Sequence, residues 1–287
     1  MSTALAPQNA IPQEGDLLVP FESQNIPEEY REYYKTKRNN FFSSIQRFSG
    51  MWKYYTLLDQ IWFRGFEVMK PAPRDPERTF PLLLYYNAHA KIRVSIELAF
   101  SGCMAEARSI MRDAIEFVAH AHTMMGDAGL QKTWLSKGDD AAALEAFKDA
   151  YERNKKEGIF KGLDELQHSW GQFSEIGSHA TILAICERFA VVKSDKHVEF
   201  RLNYCGLEER NWALSLFSLL LTCFTMEKTF YGDYQARLQF DETLIRMRTQ
   251  FEQLKEQLRE YMKVHYKIEP PFGIHVPKPV IYKPSGN

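Results

Sequence analysis

The stretch that decides the fold is residues 81–126. It reads PLLLYYNAHAKIRVSIELAF over residues 81–100 and CMAEARSIMRDAIEFVAHAHTMMG over residues 103–126, with Ser101-Gly102 between the two runs. Apolar residues recur at helical spacing in both runs, and glycine readily adopts the backbone conformation of a tight turn. The sequence therefore predicts two antiparallel helices joined at Gly102, a hairpin around which we expect the rest of the chain to pack.

Both predicted helices of this hairpin carry charged residues. Folding the helices back about Gly102 brings three pairs level with each other. These pairs are Glu97 with Arg108, Arg93 with Arg112, and His89 with Glu116. The spacing predicts a polar ladder inside the bundle, which either fixes the register of the helices or forms a site, since clustered charges shift pKa values. Of the two, the structural role is favoured.

A later segment carries further polar residues that could contact this ladder. Ser174 and Ser178 lie four residues apart, on one helical face, with His179 beside them. Such a cluster is suited to receive Arg112 and Glu116 from the hairpin. The favoured alternative is a helix that begins at Ser178 as its N-cap, with His179 as an ordinary packed side chain.

The composition is that of a folded protein without a strong charge bias. Of the 287 residues, 45% are hydrophobic and 25% charged, and the formal net charge is -1. This balance gives no general attraction to nucleic acid or anionic lipid. Cys103, Cys186, Cys205 and Cys223 form no C-x-x-C pair, and the first residues do not resemble a signal peptide. We therefore expect reduced cysteines and a cytoplasmic protein.

Proline content and hydrophobic periodicity divide the chain into three parts. We predict a flexible arm over residues 1–27, one helical domain over residues 28–268, and a proline-rich tail over residues 269–287. The domain is expected to be an all-α bundle of about six or seven helices, interrupted by one small β-hairpin near residues 190–205, where the apolar period changes to two. The apolar run Trp212–Met226 has 15 residues. Crossing a membrane needs roughly 20, so we predict a buried helix over residues 207–231 and no membrane span.

The last predicted helix, residues 233–268, has apolar residues at heptad spacing. They are Leu244, Met247, Phe251, Leu254, Leu258 and Tyr261. This stripe could form a homodimer through residues 240–265, or it could pack against the chain's own bundle. Packing within the chain is favoured.

The first helical segment mixes basic and aromatic residues. Its basic residues are Arg31, Lys35, Lys37, Arg38, Arg47 and Lys53. Nucleic acid can bind such a surface through base stacking and phosphate contacts. The favoured alternative is an amphipathic helix with its rings in the core and its charges in solvent.

Metal and cofactor motifs are weak or missing. Glu165 and His168 form the E-x-x-H pair that di-iron bundles use twice, but a second pair is missing. His120 and His122 are two residues apart and so point to different sides of a helix. Phosphate-binding glycine motifs and nucleophile elbows are absent from the sequence. We predict neither a metal nor a cofactor.

One pattern resembles a known group of proteins. The order A-x-x-x-x-R-x-x-x-E followed by S-x-x-x-S-H resembles a broad set of uncharacterised bacterial helical proteins, and is distantly similar to the HEPN superfamily (higher eukaryote and prokaryote nucleotide-binding). The matching positions are Ala107, Arg112, Glu116, Ser174, Ser178 and His179. The resemblance implies a helical hairpin that carries the Arg and the Glu. The HEPN superfamily includes many toxins and phage-defence ribonucleases.

The ribonuclease signature of that superfamily, an Arg followed a few residues later by a His, matches only Arg259 and His265. The resemblance implies that this His acts as acid or base and that the Arg stabilises the phosphorane, usually across a dimer. The favoured function is nevertheless non-catalytic: a cytosolic interaction, sensing or accessory protein. A metal-independent ribonuclease is the alternative, and a nucleic-acid-binding module is the third hypothesis.

Overall fold

The computed structural model describes residues 26–70, 76–153, 155, 158–175, 189–193, 198–202, 205, 208–267 and 280–282. Its helices are α1 (Glu28–Arg47), α2 (Ser49–Met69), α3 (Pro76–Phe100), α4 (Met104–Thr123), α5 (Ala128–Leu135), α6 (Ala141–Phe147), α7 (Asp164–Phe173), α8 (Glu209–Leu238) and α9 (Glu242–Tyr266). A π-helical turn, Lys148–Glu152, follows α6. The predicted all-α bundle is confirmed.

The central hairpin consists of α3 and α4, as the sequence predicted. Gly102 has a positive φ of 82°, and the Cys103 amide donates a hydrogen bond of 2.9 Å to the Leu98 carbonyl across the turn. Only glycine adopts this φ without strain, so the turn is fixed by one residue. Helix α3 begins earlier than predicted, at Pro76, because proline fits the first position of a helix well.

Helix α8 runs through the core beside the hairpin and α2. The Trp62 ring on α2 stacks on Phe230 of α8 with 4.9 Å between ring centroids. Gly65 lets the two helices come this close, since a Cβ at this position would lie 2.7 Å from the Phe230 ring. Tight aromatic packing of this kind holds α8 in one position against the hairpin.

Helix α8 is longer than predicted, and the boundary with α9 lies elsewhere. Instead of ending near Tyr231, α8 continues to Leu238, whose side chain is fully buried. Asp241 then caps α9, because its carboxylate accepts a hydrogen bond of 2.7 Å from the Leu244 amide. Burial of the last α8 turn outweighs the helix-breaking tendency of Gly232.

The heptad stripe of α9 packs inside the chain. Its fully buried members are Leu244, Phe251 and Leu258, joined by Met262. The Phe251 ring lies 4.5 Å, between centroids, from that of Tyr54 on α2. The chain's own bundle therefore covers most of the surface on which a homodimer through residues 240–265 would depend.

A small sheet lies where the alternating pattern predicted a β-hairpin. Strand β1 (Phe189–Lys193) pairs antiparallel with β2 (Val198–Leu202), with Val191 opposite Phe200. Strand β3 (Val280–Tyr282) joins β1 in parallel register. Part of the predicted C-terminal tail thus belongs to the folded structure.

Within the described residues, α8 is the one helix that is long and apolar enough to cross a membrane. Its best window has a mean hydropathy of 1.2, and 67% of that window is buried inside the fold. The central helix of a globular bundle has the same properties.

Candidate functional site

A polar groove follows one face of α8. Small hydroxyl side chains recur along this face at helical spacing: Ser218, Thr222, Thr225 and Thr229. The lining residues of α8 extend from Ser218 to Asp233, which corresponds to about 22 Å of helix axis. Helix α7 forms one wall along the groove, α9 forms the opposite wall at one end, and α4 contributes at the other end.

The groove consists of two adjoining clefts. The first, the cationic cleft, has a volume of about 450 Å³, and the second, the histidine cleft, has about 610 Å³. Glu165, Thr225 and Lys228 line both clefts, so the two are continuous. Volumes of this size are typical of small-molecule sites.

The cationic cleft brings three positively charged side chains together. Lys228 lines it from α8, and Lys255 and Arg259 line it from α9. Lys255 also pairs with Glu252, and Arg259 with Glu256 at 3.3 Å. Lys228 forms no ion pair with any acid in the described part of the chain.

Hydroxyl groups and an imidazole complete the cationic cleft. Ser169 and His168 line it from α7, opposite Ser218 and Thr222 of α8. The Thr222 hydroxyl lies 3.4 Å from that of Ser169, which joins the two walls. Ammonium, guanidinium and hydroxyl donors around one space are the groups that bind phosphate oxygens.

The histidine cleft contains a chain of three hydrogen-bonded side chains. His122 Nδ1 lies 2.8 Å from an Asp233 oxygen, and the other Asp233 oxygen accepts a hydrogen bond from the fully buried Tyr85 hydroxyl. The His122 side chain is 36% exposed, whereas that of Asp233 is 9% exposed. The hydrogen bond that His122 donates to the Asp233 carboxylate raises the pKa of His122, which favours the imidazolium form. With Nδ1 held in this way, Nε2 is the nitrogen left for a ligand.

A second polar group lies across α7 from the groove, and we term it the closed cluster: Arg112, Glu116, Lys155, Trp170 and Ser174. One Glu116 oxygen accepts hydrogen bonds from Arg112 at 3.0 Å, Lys155 at 3.0 Å and the Trp170 indole at 2.9 Å. Arg112 Nε donates to the Ser174 hydroxyl at 2.8 Å. The predicted meeting of Ser174 with the hairpin is therefore confirmed.

The charges of the closed cluster neutralise one another. Burial alone would raise the pKa of Glu116, but Lys155 and Arg112 together hold it below its usual value. The guanidinium of Arg112 also lies over the Trp170 ring, 5.0 Å from its centroid. Each donor is already occupied, so this cluster joins α4 to α7 and leaves no obvious charge for a ligand.

His120 lies next to the closed cluster, one turn after Glu116. Its ring is 5.0 Å from Tyr151 and stacks on Phe147, and its Nδ1 is buried with no hydrogen-bond partner. Burial lowers the pKa of His120 to about 4. The two histidines of α4 thus lie in opposite electrostatic environments, although only one residue separates them.

The predicted ladder between α3 and α4 does not form. His89 and Arg93 both bind Asp59 of α2, each at 2.7 Å from the same oxygen, instead of Glu116 and Arg112. Burial would raise the pKa of Asp59, but its hydrogen bonds with His89 and Arg93 lower it to about 2. The faces of α3 and α4 that carry these charges point to different neighbours, which sequence spacing alone does not reveal.

The predicted pair of Glu97 with Arg108 does not form either. Glu97 pairs with Lys37 of α1 at 3.4 Å and is largely exposed. Arg108 is fully buried and donates to the Ser215 hydroxyl of α8 at 2.8 Å. The two other residues predicted for this site, Ser178 and His179, lie outside the described residues.

Arg259 and His265 have different surroundings. Arg259 lines the cationic cleft, whereas His265 is exposed and packs against the Tyr261 ring, 4.3 Å between centroids. Six residues of helix separate the two side chains by about 120° around the axis. Within one copy of the chain they do not face a common space.

The basic residues of α1 mostly pair with carboxylates. Arg31 pairs with Glu28, Lys35 with Glu32, Lys37 with Glu97 and Arg47 with Glu209. The prediction that the aromatic rings face the core is only partly right. Tyr30, Tyr34 and Phe42 are exposed, and Arg38 lies over the Phe42 ring. Pairing with acids reduces the positive charge that a nucleic acid would meet on this helix.

The described residues contain no group of three or more His, Cys, Asp or Glu side chains arranged to hold a metal ion. Glu165 and His168 both line the cationic cleft, but Glu165 accepts a hydrogen bond of 3.3 Å from Thr225. Glu165 and His168 are therefore polar lining residues of the groove.

Sequence reasoning missed the groove, including Lys228 and the pairing of His122 with Asp233. A signal for the cationic cleft was present, because residues 212–231 of α8 are apolar apart from hydroxyl residues, Glu227 and Lys228. Four of these hydroxyl residues recur at spacings of four, three and four. No local pattern predicts the histidine cleft, because His122 and Asp233 are 111 residues apart.

We compared the chain with protein-family models, with curated proteins and with solved structures, and none of the three comparisons found a match.

Proposed function

We propose that this protein is a non-catalytic sensing or accessory protein of the cytoplasm that binds a small phosphorylated ligand in the groove along α8. The observation that carries the proposal is the meeting of Lys228, Lys255 and Arg259 around one cleft, where Lys228 has no acidic partner among the described residues. A site with uncompensated positive charge attracts an anion, and phosphate oxygens accept hydrogen bonds from every donor present.

The size and shape of the groove favour a small ligand. The cationic cleft would hold the phosphate groups, and the adjoining histidine cleft would receive the remainder of the molecule. His122 lines the histidine cleft together with Lys228, and its raised pKa keeps it charged to a higher pH, so this end of the groove also suits an anionic or polar part of the ligand. The closed cluster would keep α7 in place as the groove wall.

Calorimetric titration with inorganic pyrophosphate and with ADP tests the proposal. We expect saturable binding to the full-length chain, weakened by added salt. Lys228→Ala and Lys255→Ala should each lower the affinity about 10- to 100-fold, the effect of one charge-assisted hydrogen bond.

Lys263→Ala is the matched control, since Lys263 is exposed on α9 outside the groove lining. It removes the same charge and should leave affinity within about twofold. An equal loss in this variant, or no saturable binding of either probe to the wild-type chain, would rule out the groove as an anion site.

The pairing of His122 with Asp233 favours a second candidate, a metal-independent hydrolase of phosphate esters. A carboxylate that fixes one imidazole nitrogen leaves the other to act as general acid or base, the role that the HEPN resemblance assigned to His265. Incubation with labelled RNA distinguishes the candidates. Cleavage that is lost in His122→Gln but kept in His265→Gln would assign the acid–base role to His122, and the reverse pattern would support Arg259 with His265.

A further inference from the structure

Two cysteines far apart in sequence meet at the turn of the central hairpin. The Cys103 and Cys205 sulfur atoms are 3.1 Å apart, although 102 residues separate them along the chain. Both side chains are buried, with exposed fractions of 2% and 7%. The distance is shorter than a van der Waals contact between two sulfur atoms, so the thiols already touch.

The surrounding structure holds both residues in place. Cys103 follows Gly102, whose turn is fixed by its positive φ. The Asn40 side-chain amide of α1 donates hydrogen bonds to the Cys205 carbonyl at 2.9 Å and to the Ser101 carbonyl at 3.3 Å. One side chain thus fastens both cysteine-bearing segments to the same helix, and the proximity of the sulfurs follows from the fold.

The two thiols differ in acidity. The hydrogen bond from Cys205 lowers the pKa of Cys103. Burial and the nearby Glu106 oppose this effect, and Lys37 adds to it. The pKa of Cys205 is raised, first by its hydrogen bond with Cys103. A thiolate at Cys103 next to a protonated Cys205 is the pairing in which one sulfur attacks an oxidant and the other resolves the product.

We propose that Cys103 and Cys205 are a peroxide-oxidised modification site that forms a reversible intramolecular disulfide. The Cys103 thiolate attacks one oxygen of hydrogen peroxide, the O–O bond breaks, and hydroxide leaves and takes up a proton to give water. The Cys205 sulfur then displaces the second oxygen from the Cys103 sulfenic acid, also as water. In total, two thiols and one peroxide give one disulfide and two water molecules.

Little movement is needed to form the bond. A disulfide has a sulfur–sulfur length of about 2.05 Å, so the sulfurs must approach by about 1 Å. The bond would tie the α3–α4 turn to the segment directly before α8. This inference goes beyond ligand binding in the groove, and it departs from the expectation that the cysteines are reduced.

Cys223 provides an internal comparison. It is fully buried, and its sulfur lies 3.9 Å from the Met111 sulfur, a partner that cannot form a disulfide. Burial also raises the pKa of Cys223 well above its ordinary range. We expect this thiol to stay reduced under conditions that oxidise Cys103 and Cys205.

The test treats the full-length chain with hydrogen peroxide at a few molar equivalents. Intact mass should fall by the mass of two hydrogen atoms. Peptide mapping without reductant should identify a Cys103–Cys205 crosslink that dithiothreitol removes. Closing a loop of about 100 residues should raise the melting temperature by about 10 °C. Mapping the wild-type chain requires no variant, so a folding defect in a variant cannot obscure the result.

Variants then assign the roles. Cys223→Ser and Cys186→Ser should both keep the crosslink, whereas Cys103→Ser and Cys205→Ser should each abolish it. In Cys205→Ser, a sulfenic-acid probe should label Cys103. A crosslink through Cys186, a disulfide between two chains, or four free thiols after treatment would each overturn the proposal.

Discussion

The two sides of α7 differ in how the charges of nearby side chains are balanced. On one side, the closed cluster surrounds Glu116 with the donors Arg112, Lys155 and Trp170, so positive and negative groups satisfy each other. On the other side, the groove collects Lys228, Lys255 and Arg259 around an open space. Lys255 pairs with Glu252 and Arg259 with Glu256, so the charge without an acidic partner in the described structure is that of Lys228. Neutralised charges hold helices together, whereas the charge of Lys228 remains available to a ligand.

The histidines of α4 show the same contrast within one turn of helix. His120 is next to the closed cluster, where burial lowers its pKa to about 4. His122 lines the groove, where Asp233 raises its pKa. Position relative to α7 therefore decides whether an imidazole is a neutral packing group or a cation.

The largest expected effect comes from removing the acceptor of the closed cluster. Glu116→Ala leaves the partly buried Lys155 without its counter-charge and leaves Arg112 with Asp113, at 3.3 Å, as its acidic partner. This should lower the free energy of unfolding by about 2 kcal/mol. Urea denaturation measures this change. Asp113→Ala, at the neighbouring and more exposed acid, should cost less than about 0.5 kcal/mol. If Glu116→Ala instead abolished pyrophosphate binding without loss of stability, the cluster would be a ligand site.

His120 should make the protein less stable in acid. Because its folded pKa is below the unfolded value, the unfolded chain binds the proton more readily, and stability falls as pH drops from about 6.5 to 4. His120→Phe keeps the ring contacts with Phe147 and Tyr151 but cannot titrate. It should therefore remove about 1–2 kcal/mol of this pH dependence. Denaturation curves at pH 7.5 and 4.5 measure the difference, and equal slopes in both proteins would contradict the assignment.

His122 should have the opposite effect on the pH dependence of stability. Its folded pKa is raised, so its contribution to stability is complete below pH 6.5 and is lost as pH rises through the folded pKa. His122→Gln should therefore cost about 0.5–1 kcal/mol at pH 5.5 and less at pH 8.5. Direct titration of the imidazole by nuclear magnetic resonance is the sharper measurement. A midpoint below that of an unfolded histidine would show that Asp233 does not control it.

The smallest effect on stability should come from the groove lysine. Lys228→Ala removes a side chain without an acidic partner in the described structure, so its unfolding free energy should change by less than about 0.5 kcal/mol. The same substitution should sharply weaken pyrophosphate binding. A destabilisation above about 1 kcal/mol would instead mean that Lys228 has a structural partner. The charges on the two sides of α7 would then not differ in the way described.

Local patterns were enough for most of the helical architecture. The hairpin and the turn at Gly102 both follow from periodicity and from residues with strong conformational preferences. The end of α8 was predicted wrongly, because burial of Leu238 extends the helix beyond residue 231. Tertiary contacts outweigh local propensity at such a boundary.

Part of the candidate site was also readable in the sequence. The spacing of Arg112 and Glu116 and the hydroxyl of Ser174 predicted a cluster that the structure contains. The partners of His89, Arg93 and Arg108 were predicted wrongly, since helical spacing gives the face of a residue but not the element that packs on it.

The sequence by itself determined an all-helical chain with a central hairpin, because the signals for helices and tight turns extend over only a few residues. The tertiary structure alone decided which side chains from distant segments meet. His122 reaches Asp233 across 111 residues, and Cys103 reaches Cys205 across 102. Contacts over such separations depend on how α4, α8 and their neighbours pack, and that packing is a property of the whole core.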